Sequence, residues 1–554
     1  MAKKKRRKKK KNNAVPVVIL LIIALALAGV VASKMDKKRP SDKMVDDASY
    51  FGVESDNEVA VITSDAVCPE KAVSKGGHYY LSYDAIVTYI TDKIYYDPAA
   101  DILTMTTPNE IINVGSDANV YYLENGQLFI SLQYVCKRSD VEVKSFENPA
   151  RIVIKNRFDL RTAEVAKEDV IRMDTDVRSD IVKRAEPGEV VYVHDDNDAM
   201  AKVSTEDGYI GFIQRDSLGE RKEPKAHNSA IGEYTSIGLG EPINMAFHQI
   251  FTSAANDTLN DVMKNVSGVN VIAPTWFFLD DYDGTTSNLS SASYVDKAHA
   301  RGLKVFAVAN DFDGDLSSYS DTLAVLSSTQ SRQNLAKGLV EKTKACGADG
   351  LNIDFEKVNE ECKDAYITFI RELSVLCRNE GIILSVDTYV PQAYNLFLDR
   401  AGQAEVCDYV LIMAYDEHYA GSDQAGSVSS ISWVRAAVEE TLKEVPKEKI
   451  IIAIPFYTRL WEVDIDDRVT STAMGMYEAE QYVKEHSMKT EWGDEVKQNI
   501  ATLDGPMKYF IWLEDAKSIE EKMKVIKEGE VAGVAEWKLG FEDPEVWEVI
   551  DRYI

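Results

Sequence analysis

A chain of 554 residues is too long for one ordinary domain, and a hydrophobic content of 45% supplies several packed cores. The net charge of -28 includes a block of nine cations at residues 3–11, so the rest of the chain is more acidic still and is excluded as a nucleic-acid binder. The six cysteines form no CxxC pair and no histidine lies at zinc-ligand spacing, which argues against a metal centre and for buried free thiols.

The basic block closes a tail at residues 1–13. It is followed by AVPVVILLIIALALAGVVAS at 14–33, an uncharged run of about 20 residues that is long enough to cross a bilayer as a helix. Cations in front of such a run predict a cytoplasmic N-terminus. The expectation is a single-pass anchor in the cell membrane with everything after Ser33 extracellular. The run exceeds the usual apolar region of a cleaved signal peptide, the competing reading. Residues 34–58 are polar and read as a spacer.

From 59 to 160 short strand-like runs (EVAVIT, HYYLS, ILTMTT, ARIVIKN) alternate with turns, and YDAIVTYITDKI predicts one helix among them. Asn125-Gly126 inside YYLENGQLFIS is a two-residue hairpin signal. Strand order and the run YYLENGQLFISLQYV make this stretch similar to the copper amine oxidase N-terminal-like domain of exported bacterial proteins; the lone His78 implies no copper. Residues 165–220 predict a small β-barrel with a hairpin at Asp207-Gly208, and their strand order resembles a bacterial SH3 domain. Two roles stand open for it, contact with cell wall and a passive spacer. Pro224, glycines and serines mark 221–240 as a linker.

From 241 to 554 the texture changes. Eight short apolar runs recur (INMAFHQI, VNVIAPTWFF, KVFAVAND, GLNIDFE, ILSVDTYVP, YVLIMAYDEH, KIIIAIPFY, VAGVAEWKLG), with amphipathic helical segments between several of them. That alternation predicts an α/β fold, a (β/α)8 TIM barrel at the C-terminal end of the chain, with its longest insertion at about 462–530. The full expectation is this barrel preceded by a small mixed β-rich domain, an SH3-like β-barrel and an N-terminal transmembrane helix.

Such barrels carry their chemistry at the C-terminal ends of the strands. In DGLNIDFE the period of two sends Leu351, Ile353 and Phe355 toward the helices, and Asn352, Asp354 and Glu356 into the barrel. Asp349 is out of phase with the inward set and reads as structural support. Other strands close in acids and aromatics: Trp276 on the second, Asn310 and Asp311 on the third, Asp387 and Tyr389 on the fifth, Tyr415 and Asp416 on the sixth, Glu536 and Trp537 on the eighth. Aromatic faces suit sugar C–H surfaces and carboxylates suit hydroxyls and protons, so this set predicts a carbohydrate site.

DGLNIDFE resembles the DxxDxDxE motif of family 18 glycoside hydrolases, MAYD its strand-six signature, and Trp537 occupies the place of its strand-eight tryptophan. IAPTWF, MAYDEHYAGS and WLEDAKSIEEKM resemble the branch that includes spore-cortex N-acetylglucosaminidases. The resemblance implies a general acid at Glu356, Asp354 orienting the substrate acetamide, and Tyr415 donating to the acetamide oxygen, with retention through attack of the sugar's own N-acetyl oxygen. It implies a sugar floor at Trp537, with Asp416, Asn352, Met413, Arg459 and Trp276 as further substrate contacts, and it requires no cofactor and no metal. The middle Asp of the family motif is Asn352 here, which can hydrogen-bond to Asp354 but cannot hold a proton for it. The implied partner is a glycan rich in β-1,4-linked N-acetylglucosamine. Peptidoglycan comes first; chitin, glycoprotein glycans and a non-catalytic glycan-binding role on the same fold remain as alternatives.

Overall fold

The structure, a computed structural model, describes residues 40–554 apart from 56, 117 and 118. Two compact units emerge. The described part of the first lies before residue 92 and between 118 and 230; the second comprises 92–117 and 231–554.

The first unit is β-rich. One seven-stranded sheet runs Tyr121–Glu124, Gln127–Ser131, His78–Ser82, Val67–Lys75, Glu58–Thr63, Arg151–Lys155, Glu142–Phe146 in spatial order. Its Asn125-Gly126 turn has positive φ at both residues (53° and 82°) and joins Glu124 directly to Gln127, the mirror-image turn that matches the twist of a hairpin. The predicted helix forms at Tyr83–Tyr89, its start fixed by the Ser82 hydroxyl, which accepts from the Ala85 N–H. The second sheet, also seven-stranded, spans 161–222 in the order Ile181–Ala185, Asp169–Arg172, Ile210–Gln214, Met200–Thr205, Val190–Asp195, Arg161–Val165, Leu218–Lys222. Alternate residues Val191, Val193, Ala201, Val203 and Ile213 are buried in one core with Phe51 and Ile62.

The expectation of a single-pass membrane protein with an extracellular C-terminal region is corrected here. Among the described residues no helix is long and apolar enough to cross a membrane. The run 14–33 that carried the expectation lies outside the described residues. All six cysteines are free thiols, and five of them are buried.

The second unit holds a closed barrel of eight parallel strands: β1 Ile243–His248, β2 Val271–Phe278, β3 Lys304–Asn310, β4 Gly350–Asp354, β5 Ile383–Tyr389, β6 Tyr409–Met413, β7 Ile450–Pro455 and β8 Gly533–Trp537. Each falls within one of the eight apolar runs. The two faces of every strand part into two cores. Outward residues such as Ile272, Leu351, Ile353, Val386, Ile412 and Ile452 pack under the helices. Inward residues such as Met245, Phe247, Val308, Leu411, Met413 and Ala535 fill the lumen. Near the base the Phe306 ring takes up so much of the lumen that a Cβ on Gly350 would lie 2.6 Å from it. Gly350→Ala is therefore expected to cost about 1–3 kcal/mol by overpacking, read as a lower urea midpoint at unchanged slope.

The insertion between β7 and β8 is a five-stranded antiparallel sheet running from Tyr457–Val463 to Lys508–Leu513, with the helix Met476–Glu485 alongside. Its last strand leads into a buried Glu514–Lys522 ion pair of 2.7 Å that ties the insertion to the helix Ala516–Glu528 before β8.

The stretch 59–160, read from sequence as one domain, is divided in the structure. Residues 94–114 form a three-stranded sheet that belongs to the barrel unit (Ile94–Asp97, Ile102–Thr106, Ile111–Val114). Specific polar contacts hold it there. The Asp97 carboxylate accepts from the Thr329 N–H at the start of helix Thr329–Cys346 (2.8 Å), the Tyr95 ring lies 4.7 Å from the Arg332 guanidinium, and Arg371 donates to the Asp92 carbonyl (2.7 Å).

Candidate active site

The polar residues of the lumen gather where β3, β4, β5 and β6 end. Asn352 is fully buried; its amide donates to Ser385 Oγ (2.9 Å) and to Asp387 Oδ1 (2.7 Å) on β5, while its own Oδ1 has no partner. One layer above, Asp354 is buried with Oδ1 unpartnered. Burial first, then the carboxylates of Asp387, Glu356, Asp311 and Asp313, push its carboxyl well above the ordinary range.

Glu356 follows β4 and is only half-buried, so its carboxyl reaches the open end of the barrel. Tyr389 Oη, at the end of β5, donates to Glu356 Oε2 at 2.8 Å. Burial raises the Glu356 pKa; the Tyr389 hydrogen bond and Lys357 work against it, Asp311 and Asp416 with it, and the outcome is a raised value. Asp311, just past β3, holds the backbone at this point. Its Oδ1 accepts from the Glu356 N–H (2.8 Å), its Oδ2 from the Lys357 N–H (3.0 Å) and from the Thr322 hydroxyl (2.8 Å).

Aromatic residues line the same end. Tyr415 and Trp537 are half-buried and pack on the lumen core that contains Met413 and Phe247; the Trp537 and Phe247 rings lie 5.4 Å apart. Tyr457, at the entry to the insertion, meets Tyr415 edge-on at 6.1 Å and donates to Asp416 Oδ1 at 2.6 Å. Asp416 is exposed and has φ 53°, a left-handed backbone that Asp tolerates better than most residues. Arg459 donates from Nη1 to Ser471 Oγ (3.1 Å), and its buried Nε has no partner.

Asp354, Glu356, Asn352, Tyr415, Asp416, Met413, Trp537 and Arg459 thus occupy one end of the barrel and the insertion that borders it. Trp276 does not join them, and its expected substrate contact is corrected. It is fully buried in the layer between barrel and helices, edge-on to Tyr294 at 5.2 Å, with its indole N–H on Asn256 Oδ1 at 2.9 Å. The strand runs on to Phe278, so Trp276 is not its end, and the β2–β3 register shifts between Thr275 and Phe277. Asp349 lies at the opposite end of β4. It accepts from Lys304 (2.8 Å) and from the Val305 N–H (2.9 Å) and lies 2.8 Å from His299 Nε2. Burial opposes ionisation there, yet the Lys304, Val305 and His299 contacts hold its pKa below the usual carboxylate range. Asp311, Asp387 and Tyr389, which the sequence placed among the strand ends of a carbohydrate site without individual roles, gain defined partners here, and Tyr457 joins them. Three of them were visible as polar strand ends, which was the signal available.

An acid of raised pKa at an open mouth, a second carboxyl one layer below it and an aromatic wall define a glycosidase on a parallel barrel. The chain belongs to the glycosyl hydrolases of family 18, whose family model matches residues 225–542. It is 27% identical over 317 residues to the uncharacterized glycosylase YvbX of Bacillus subtilis, covering 54% of this chain and 90% of that protein. It is 26% identical over 240 residues to the cortical fragment-lytic enzyme of Bacillus subtilis, covering 41% and 56% of the two chains. The fold is shared with the spore cortex-lytic enzyme SleL of Bacillus cereus, at TM-score 0.52 and 19% identity over 61% of this chain and 78% of that one. It is also shared with the C-terminal domain of a putative chitinase from Desulfitobacterium hafniense, at TM-score 0.51 and 19% identity over 57% and 99%. The enzyme is accordingly a family 18 glycosidase related to spore cortex-lytic enzymes and chitinases.

Proposed function

We propose that the barrel hydrolyses β-1,4-linked N-acetylglucosamine-containing glycan, peptidoglycan before chitin, with retention of configuration. Glu356 gives its proton to the glycosidic oxygen as the C1–O bond breaks. The carbonyl oxygen of the sugar's own N-acetyl group forms the new bond to C1, with Asp354 holding the acetamide N–H and Tyr415 the acetamide oxygen. Glu356, now ionised, takes a proton from water; that water opens the cyclic intermediate and restores the acid. Trp537 is the floor for the sugar, Met413 and Asn352 support it from below, and Asp416 and Arg459 bind hydroxyls at the insertion side. The observation that carries this reading is the half-buried Glu356, raised in pKa and held by Tyr389 at 2.8 Å, directly above the buried Asp354.

The preference for peptidoglycan rests on the cortical fragment-lytic relatives. In the same reading the sheet at 161–222 is an SH3-like module that contacts wall polymer, and the sheet strands before it are the core of a copper amine oxidase N-terminal-like domain; their short strands and hairpin turns support this. The test is a panel of purified peptidoglycan, chitin oligomers and N-glycans assayed for new reducing ends. Faster release from peptidoglycan is expected, and turnover of chitin oligomers alone would overturn the preference.

The Tyr389 hydrogen bond stabilises the ionised form of Glu356. Tyr389→Phe removes it, so the acid keeps its proton to higher pH. The alkaline limb of the kcat/KM profile is expected to move upward, and a limb that stays put or moves down would separate Tyr389 from the acid.

A further inference from the structure

A second buried carboxyl stands beside Asp354 and has no place in the mechanism above. Ile353 on β4 pairs with Val386 on β5, and both point outward into the core under the helices. One residue further along each strand, Asp354 and Asp387 therefore both point into the lumen at the same level. Neighbouring strands are about 4.8 Å apart. Both side chains are nearly sealed from solvent, at 5% and 4% exposure. Asp387 Oδ1 accepts from the Asn352 amide at 2.7 Å, and Asp354 Oδ1 has no partner.

We infer that Asp387 is a positioning residue for the reaction, the neighbour with which Asp354 shares a single proton across the β4–β5 seam. This rests on the proposed reaction. Ionising both of two buried carboxyls that face one lumen from neighbouring strands is unfavourable, because each charge would add to the desolvation cost of the other. The groups facing the pair do not relieve it. Glu356 after β4 and Asp311 and Asp313 after β3 are acidic; Tyr389 on β5, Tyr415 after β6 and Tyr366 on the helix Lys363–Glu380 are neutral, and burial holds each phenol protonated. Burial, and then the charge of Glu356, raise Asp387 as well, against the pull of the Asn352 N–H. One proton for two carboxyls is the arrangement that remains.

The pair has a use in the proposed reaction. While substrate is neutral the proton sits on Asp354. As positive charge develops on the acetamide ring, the proton passes from Asp354 to Asp387, leaving Asp354 anionic beside the cation with no change in total charge. Asn352 contributes by anchoring Asp387 through its amide. Where the motif of the family has a carboxylate at position 352, this chain has an amide there and a carboxylate across the seam. Exchanging the two residues would keep the hydrogen bond and move only the acid.

The test uses the full chain and N-acetylchitotetraose. Asp387→Asn is expected to lower kcat about 100-fold with KM nearly unchanged, and the exchanged variant N352D/D387N to recover at least a tenth of the wild-type kcat. In the absence of substrate, isotope-edited infrared spectra of the aspartate carboxyls are expected to show Asp354 and Asp387 titrating as a coupled pair in two separated steps. In Asp387→Asn a single step at lower pH is expected, since an acidic neighbour is gone. A wild-type kcat in Asp387→Asn, no recovery in a folded N352D/D387N, or two independent carboxyls at ordinary acidity would each overturn the inference. A wild type that cleaves no N-acetylglucosamine polymer would instead sink the proposed reaction, and the spectra would still judge the pair.

Discussion

Glu356→Gln is expected to lower kcat on N-acetylglucosamine polymers by about 10³–10⁴-fold while leaving binding of oligomers within a few-fold of wild type. Gln keeps the shape and the contact with Tyr389 Oη, now 2.8 Å from Oε2, but has no proton to give to a leaving oxygen. The backbone at this residue is fixed independently by Asp311, whose carboxylate accepts from the N–H groups of Glu356 and Lys357, so the substitution leaves the strand end in place. A loss confined to kcat identifies a group acting only in the transition state. A variant with wild-type turnover of peptidoglycan, measured by reducing ends, would remove Glu356 from the chemistry.

The largest expected effect on stability lies outside the site. Arg332 and Glu372 form an ion pair of 2.9 Å between the helices Thr329–Cys346 and Lys363–Glu380, and both side chains are 0% exposed. Arg332 also donates to the Leu326 carbonyl at 2.8 Å, and Gln333 donates to Glu372 Oε1 at 2.8 Å, so the buried charges are held on several sides. Glu372→Ala leaves a guanidinium sealed from water without its counter-charge and is expected to cost about 3–5 kcal/mol. Glu341→Ala, which removes the exposed partner of Lys337 at 3.7 Å, is expected to stay within about 0.5 kcal/mol. Urea unfolding of the two variants side by side checks the contrast. Equal losses would mean that helix propensity, and not the buried charge, governs both sites.

The barrel was legible because its code is short-range. Each strand is an apolar run bounded by helical segments, and the alternation inside GLNIDFE separates Leu351 and Ile353 from Asn352 and Asp354 without knowledge of any neighbour. Trp276 was read as a strand end, but β2 runs on to Phe278 and its register with β3 slips, so the indole lies among the helices. Contacts between distant segments were not legible. Nothing in Asp97 foretells that it accepts from Thr329 more than 200 residues away, and so the division of 59–160 could not be read. Asp387 was visible as a strand end, but its meaning depends on the β4–β5 register, which only the folded barrel supplies.

In the proposed reaction a carboxyl above the sugar acts as acid while the nucleophile comes from the substrate. Asp354 and Glu356 are separated by one residue along a strand, about 6.5–7 Å, a spacing that by itself suits an inverting pair. The configuration of the first product decides between the two chemistries. Proton NMR of N-acetylchitotetraose taken in the first minutes of turnover, before mutarotation, is predicted to show the β-anomer at the new reducing end. An initial α-anomer would contradict attack by the acetamide and with it the roles assigned to Glu356 and Asp354.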